Sequence, residues 1–221
     1  YTLSNPGAIN AGTYHVSIKG VGNYKDTKNS EDYTIDKLSL TGAEITLLTN
    51  KVTYDGTAQT PPIKQVKIGD VVIPSSDYDV DYSSTNINVG TVTVTISPKT
   101  SAPINLSGSA TKTFTIEQKS IANVEITLNP ASFTYKNGVT QKPTTVTVKD
   151  LERNVTLTPV TDYTLTNNGG VEAGTYDVTV TGTGNYKGTA KKYYTISEQA
   201  GTTAITVADI DDLIYTGEAI K

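Results

Sequence analysis

At 221 residues and 36% hydrophobic content the chain can form one large domain or two or three small ones with packed cores. Its 18 Lys and Arg stand against 22 Asp and Glu, and the sequence pI is near 5.0, which excludes the excess positive charge that draws a protein to nucleic acid. No apolar run reaches the eighteen or so residues that span a bilayer, and the absence of Cys removes disulfides, thiolate nucleophiles and thiolate metal sites together. There is no Met anywhere, and the chain opens at Tyr1. It therefore reads as the interior of a longer protein or as a processed product.

Taken in chain order, one segment is written three times. Tyr1-Thr2-Leu3-Ser4-Asn5, Asn10-Ala11-Gly12-Thr13-Tyr14-His15-Val16 and Gly20-Val21-Gly22-Asn23-Tyr24-Lys25 open the chain and close on Tyr33-Thr34-Ile35. A looser copy has Tyr78-Asp79-Val80, then Asn88-Val89-Gly90-Thr91-Val92-Thr93-Val94, and closes on Phe114-Thr115-Ile116. The third has Tyr163-Thr164-Leu165-Thr166-Asn167, Glu172-Ala173-Gly174-Thr175-Tyr176-Asp177-Val178 and Gly182-Thr183-Gly184-Asn185-Tyr186-Lys187, and closes on Tyr194-Thr195-Ile196. A second marker, Tyr54-Asp55-Gly56, Tyr135-Lys136-Asn137-Gly138 and Tyr215-Thr216-Gly217, keeps the same step of 80 to 81 residues. The phase gives a closing half-module at residues 1–36, complete modules at 37–117 and 118–197, and the beginning of another at 198–221.

Within a module the apolar period is two. Thr91 to Ile96 and Thr175 to Val180 alternate apolar with polar residues, so one face meets a core and the other meets water. The same reading predicts strands at Glu44 to Leu48, Ile63 to Ile68, Val71 to Ile73, Tyr78 to Tyr82 and Lys112 to Ile116, between Gly-, Pro- and Asn-containing turns. About seven short strands in eighty residues, with no helical period, predict an all-β sandwich. The 39 Thr follow from that fold, because β-branched side chains suit a pleated, half-buried surface. The Ile116 to Ile121 junction contains neither Gly nor Pro, so neighbouring modules are expected to be held within a limited range of angles.

The segments around Asn10 to Val16 and Glu172 to Val178 resemble the acidic-small-Gly-x-Tyr-x-Cys stretch of immunoglobulin domains, with Val where the Cys would stand. In that family the Tyr hydroxyl bonds back to the backbone as a tyrosine corner. The resemblance gives Gly12, Tyr14, Gly174 and Tyr176 a structural role. With the markers Tyr54, Tyr135 and Tyr215, the whole chain resembles bacterial immunoglobulin-like modules of the Big or MBG type, strung in tandem in surface proteins and adhesins. It implies tandem immunoglobulin-like β-sandwiches in an elongated array at an extracellular, bacterial cell-surface location. The middle module departs from the pattern. Val92 replaces the corner Tyr, and the loop Ser97 to Ser109 replaces the Gly-x-Gly-Asn-Tyr hairpin.

Candidates for chemistry are few. The single histidine, His15, falls on an alternating, solvent-facing position, and no Ser-His or Cys-His arrangement exists in either complete module. No catalytic, cofactor-binding or metal residue is assigned. The best candidate for a metal is Asp77-Tyr78-Asp79-Val80-Asp81, whose carboxylates would line one strand face about 7 Å apart and offer oxygens to Ca²⁺. The plainer reading is a charged edge that discourages sheet-to-sheet aggregation. Asp209, Asp211 and Asp212 form a weaker acidic group. Thr91, Thr93 and Thr95 make an outward Thr row, and Asn105-Leu106-Ser107 and Asn154-Val155-Thr156 match the glycosylation sequon.

These features point to a non-catalytic stalk whose partners are neighbouring modules of the same polypeptide, with neither nucleic acid nor membrane insertion involved. An alternative is an adhesion module that binds a host glycan or protein through the loops Ser97 to Ser109 or Ser83 to Val89, or through Tyr24 and Tyr186. A further alternative is a filament subunit joined by strand complementation between residues 198–221 and residues 1–36 of a neighbour.

Overall fold

The computed structural model describes residues 1–4, 7–84, 86–100 and 105–201. Tyr215, the group Asp209, Asp211 and Asp212, and the partial module after residue 201 lie outside the described residues. Among the described residues every regular element is a β-strand, so the chain is all-β.

Alternation dictates the arrangement. In Gly90–Pro98 the side chains of Val92, Val94 and Ile96 are fully buried while the threonines between them face outward or sit half-buried. Burial of each such aliphatic side chain contributes roughly 1.5–3 kcal/mol, which fixes the register because a one-residue slip would turn all three into water. The outward face is a threonine ladder, with Thr91, Thr93 and Thr95 directly opposite Thr115, Thr113 and Thr111. Cross-strand pairs of this kind add a few tenths of a kcal/mol to about 1 kcal/mol each.

Residues 37–117 form two main sheets, beside the short parallel pair of Leu38–Ser39 with Leu106–Ser107. Glu44–Leu47, Ile63–Ile68 and Val71–Val72 make an antiparallel three-stranded sheet with Ile63–Ile68 in the middle. Tyr78–Tyr82, Gly90–Pro98, Ala110–Glu117 and Lys51–Thr53 make a four-stranded one, in that order, whose last pair is parallel. Residues 118–197 repeat the plan. Glu125–Asn129, Thr145–Asp150 and Val155–Thr156 form the three-stranded sheet, and Tyr163–Thr166, Gly174–Gly182, Thr189–Ser197 and Ser132–Thr134 the four-stranded one, again with a parallel last pair. In each repeat the inner faces meet in a core, as in a β-sandwich. Ile45, Leu47, Val66 and Ile73 face Val92, Val94, Phe114 and Ile116, and Ile126, Leu128, Val148 and Leu157 face Val178, Val180, Tyr194 and Ile196.

Residues 1–36 contain only the counterparts of the four-stranded sheet, split into Thr2–Ser4, Ser17–Lys19 and Thr27–Asn29 on one side and Gly12–Tyr14 with Tyr33–Ile35 on the other. No three-stranded sheet covers them among the described residues. Ile18, Tyr24 and Tyr33 are consequently exposed, whereas Val180, Tyr186 and Tyr194, at the corresponding places of the second repeat, are buried.

Candidate functional site: the seams between repeats

The side chains that organise this molecule beyond its cores lie where one repeat meets the next. At the first seam Asn105 holds the leading segment by two bonds. Its Oδ1 accepts from the Ala11 N–H at 2.7 Å, and its Nδ2 donates to Asn10 Oδ1 at 2.9 Å. At the second seam Asn185 does the same to the first repeat, accepting from the Val89 N–H at 2.9 Å and donating to Asn88 Oδ1 at 3.0 Å. A side-chain amide offers both an acceptor and donors. It can therefore read a backbone N–H and the preceding side-chain oxygen together, and both seams use that capacity in the same way.

Each half of the clasp is braced. The residue after each asparagine joins a short parallel bridge, Leu106 with Leu38 and Tyr186 with Lys119. On the receiving side the Tyr14 hydroxyl donates to the Asn10 carbonyl at 2.9 Å, and the Tyr176 hydroxyl donates to the Glu172 carbonyl at 3.0 Å. Gly170 makes room for Tyr176, because a Cβ there would overlap the ring. Val92 offers no such hydroxyl. In the first repeat the Gln59 N–H donates to the Asn86 carbonyl at 2.8 Å and Asn86 Nδ2 donates to the Gln59 carbonyl at 3.2 Å, which ties the receiving loop down instead.

The second seam carries an additional strap. Between Ile68 and Val71 the first repeat turns in two residues, Gly69 and Asp70, but between Asp150 and Val155 the second uses four, and these include the sole arginine, Arg153. The guanidinium reaches across the seam to lie over the Tyr54 ring, 4.9 Å from its centroid, and against Gly56. Its Nη1 donates to the Tyr186 hydroxyl at 2.7 Å, which donates in turn to Asp150 Oδ2 at 3.0 Å. Asp150 also accepts from Lys119 Nζ and from the Glu152 and Arg153 N–H groups, while Tyr54 and Tyr186 pack edge to face at 5.7 Å.

Asp150 is 3% exposed. Burial works to raise its pKa, but the bonds from Lys119, the Arg153 N–H and Tyr186 outweigh that and hold the carboxyl below its ordinary range. Burial pushes the Tyr186 hydroxyl up to about 12, the bond to Asp150 adding to the effect and Arg153 opposing it. The result is a desolvated ion network within the second repeat that sets Arg153 and Tyr186 against Tyr54 across the seam.

The other candidates are dispersed. Asp77 precedes the strand Tyr78–Tyr82, in a turn where its carboxylate accepts from Ser76 Oγ. The expected row of three carboxylates is thereby reduced to Asp79 and Asp81, which are opposite Ser97 and Thr95. Among the described residues no group of three acidic or histidine side chains is placed to hold a metal. His15 lies at the surface 3.8 Å from Asp32. Tyr186 is fully buried and offers no platform to a ligand, whereas Tyr24 is 78% exposed. Tyr135 is half-buried, its hydroxyl donating to Asn137 Oδ1 at 3.2 Å.

Residues 41–128 match the MBG domain family. The matched stretch covers most of the first repeat and runs past the second seam, through Lys119–Ser120 and into Glu125–Asn129. No curated protein matches the chain. The clasp itself was missed in the sequence, where Asn105 stood out only as part of a sequon. The available signal was the spacing, since Asn105 and Asn185 are 80 residues apart, one repeat step.

Proposed function

We propose that the chain is a non-catalytic stalk of tandem immunoglobulin-like modules at a bacterial cell surface, with bonded seams that keep consecutive modules at a set angle. The observation that carries this reading is the asparagine clasp, made with the same atoms at both seams. A tether that needed only length would gain nothing from it, while a spacer that must project a neighbouring domain gains stiffness. The MBG match supports the surface location, because that domain occurs in bacterial surface proteins.

The competing adhesion reading draws on the loops Ser83 to Val89 and Ser97 to Ser109. Asn86, Asn88 and Val89 of the first loop and Asn105 of the second are already engaged in bracing the seams. That favours the structural role for both. Glycan-array binding by the full chain tests the choice: no selective signal is expected, and saturable binding to one glycan class would transfer the function to adhesion.

A further inference from the structure

The receiving half of the clasp occurs three times in the sequence but is filled only twice among the described residues. Asn10-Ala11 takes Asn105, and Asn88-Val89 takes Asn185. Glu172-Ala173, the third, is exposed at the far end of the second repeat. It borders a cleft of about 360 Å³ lined by Tyr135, Glu172, Ala173, Glu198 and Gln199.

This cleft has the parts of the filled second seam in corresponding positions. Tyr135 stands where Tyr54 does, and the two backbone N–H groups donate alike to the last strand of their own repeat, Tyr54 to Glu117 and Tyr135 to Ser197. The Tyr176 hydroxyl fixes the Glu172 carbonyl as Tyr14 fixes that of Asn10, so the backbone is set in the receiving form. Glu172 supplies a carboxylate in place of the Asn88 amide oxygen, which keeps an acceptor for an incoming Nδ2. Gly138, at the place of Gly56, has positive φ and open space above it. In the sequence the repeat restarts here, its Tyr-x-Gly marker returning at Tyr215, 80 residues after Tyr135.

We propose that this end of the second repeat is the docking face for a further repeat of the same type, which enters with its hairpin asparagine on the Ala173 N–H and the Glu172 carboxylate. The proposal rests on the reading of the chain as a jointed stalk. One difference defines the partner more narrowly. Lys136 replaces Asp55, so an arginine strap like that of the second repeat would meet a like charge. The face therefore suits a repeat with the short hairpin of residues 63–72, which carries no cation at its turn.

The test inserts a second copy of residues 37–117 between Ser197 and Glu198 of the full chain. Because the chain has no Cys, nitroxides on two introduced cysteines report a single distance. One pair, Gln65→Cys and Thr147→Cys, spans the second seam; the other pairs Thr147→Cys with Gln65→Cys of the inserted copy and spans the new one. Gln65 and Thr147 are exposed at corresponding positions of the two repeats. A narrow distance distribution across the new seam is expected, beside the narrow one across the strapped second seam. Asn105→Ala in the inserted copy should broaden the new distribution several-fold and leave the other unchanged. A broad distribution across the new seam beside a narrow one across the second would overturn the docking face alone. If both pairs are broad, the jointed-stalk reading itself fails.

Discussion

The two seams are made with the same clasp and differ in what surrounds it. At the first, Leu106 follows the clasping asparagine and the hairpin of residues 63–72 turns in two residues, and among the described residues the clasp's two bonds are exposed or half-buried. At the second, Tyr186 follows, the turn is two residues longer, and the added loop carries Arg153 onto Tyr54 over a buried carboxylate. The contrast separates two tasks. The asparagine selects which surfaces meet. The strap lays the Arg153 guanidinium and the Tyr186 ring against Tyr54 across the seam, and a hydrogen-bonded network inside the second repeat holds both groups in place for that contact.

Several measurements break or sharpen that difference. The largest effect is expected from Asp150→Ala, which leaves the Tyr186 hydroxyl and two N–H groups without an acceptor and leaves Lys119 only the exposed Glu152 as a partner; it should destabilise the second repeat by about 3–5 kcal/mol in urea titrations and leave the first repeat's transition in place. Tyr186→Phe comes next. Folding raises the Tyr186 pKa from 10.0 to about 12, so the folded state favours the protonated hydroxyl. Its contribution, on the order of 2 kcal/mol, is present in full below pH 10 and is lost as pH rises toward 12. Alkaline unfolding of the parent should show that loss and the Phe variant should lack it.

Asp150 has the opposite sign. Its folded pKa lies below 3.8, so its stabilisation holds above that pH and disappears as acid carries the solution through the lower folded value. Acid should therefore loosen the second seam before it affects the first, and crosslinking across each seam between pH 5 and 2 would reveal the order.

Gly56→Ala places a Cβ against Arg153 at a residue with φ of +81°. The strained backbone and displaced guanidinium should cost about 1–3 kcal/mol. Arg153→Lys keeps the charge but loses the planar fork, and about 1 kcal/mol should go with it. The smallest energetic effect belongs to Asn105→Ala and Asn185→Ala, below about 1 kcal/mol each. They separate the seams by angle: scattering profiles should show the first seam freed by the former change and the second still held by its strap after the latter.

Much of the fold was legible because it is written in period-two alternation. The strands expected at Ile63 to Ile68 and Tyr78 to Tyr82 have those bounds in the structure, and Gly90–Pro98 extends the expected Thr91 to Ile96 by a residue or two at each end. The strand expected from Lys112 begins at Ala110 because pairing with Ile96 carries it two residues further. The seams were not legible in the same way. A clasp joins residues 94 to 97 apart, and neither asparagine differs in composition from the many that serve in turns. Asp77 was misplaced because alternation alone does not locate the turn at Pro74 that ends just before Tyr78.

The parallel pairs inside each repeat have a mechanical consequence. Lys51–Thr53 runs alongside Thr115–Glu117, and Ser132–Thr134 alongside Thr195–Ser197, in the same direction. A pull on the two ends of a repeat draws its early strand backward and its last strand forward. The hydrogen bonds between them are then loaded together, in shear, and cannot be peeled one at a time. Leu38–Ser39 beside Leu106–Ser107 and Lys119–Ser120 beside Tyr186–Lys187 repeat that geometry where the chain enters each repeat. Tension along the chain is thus met by sets of bonds that must fail as groups.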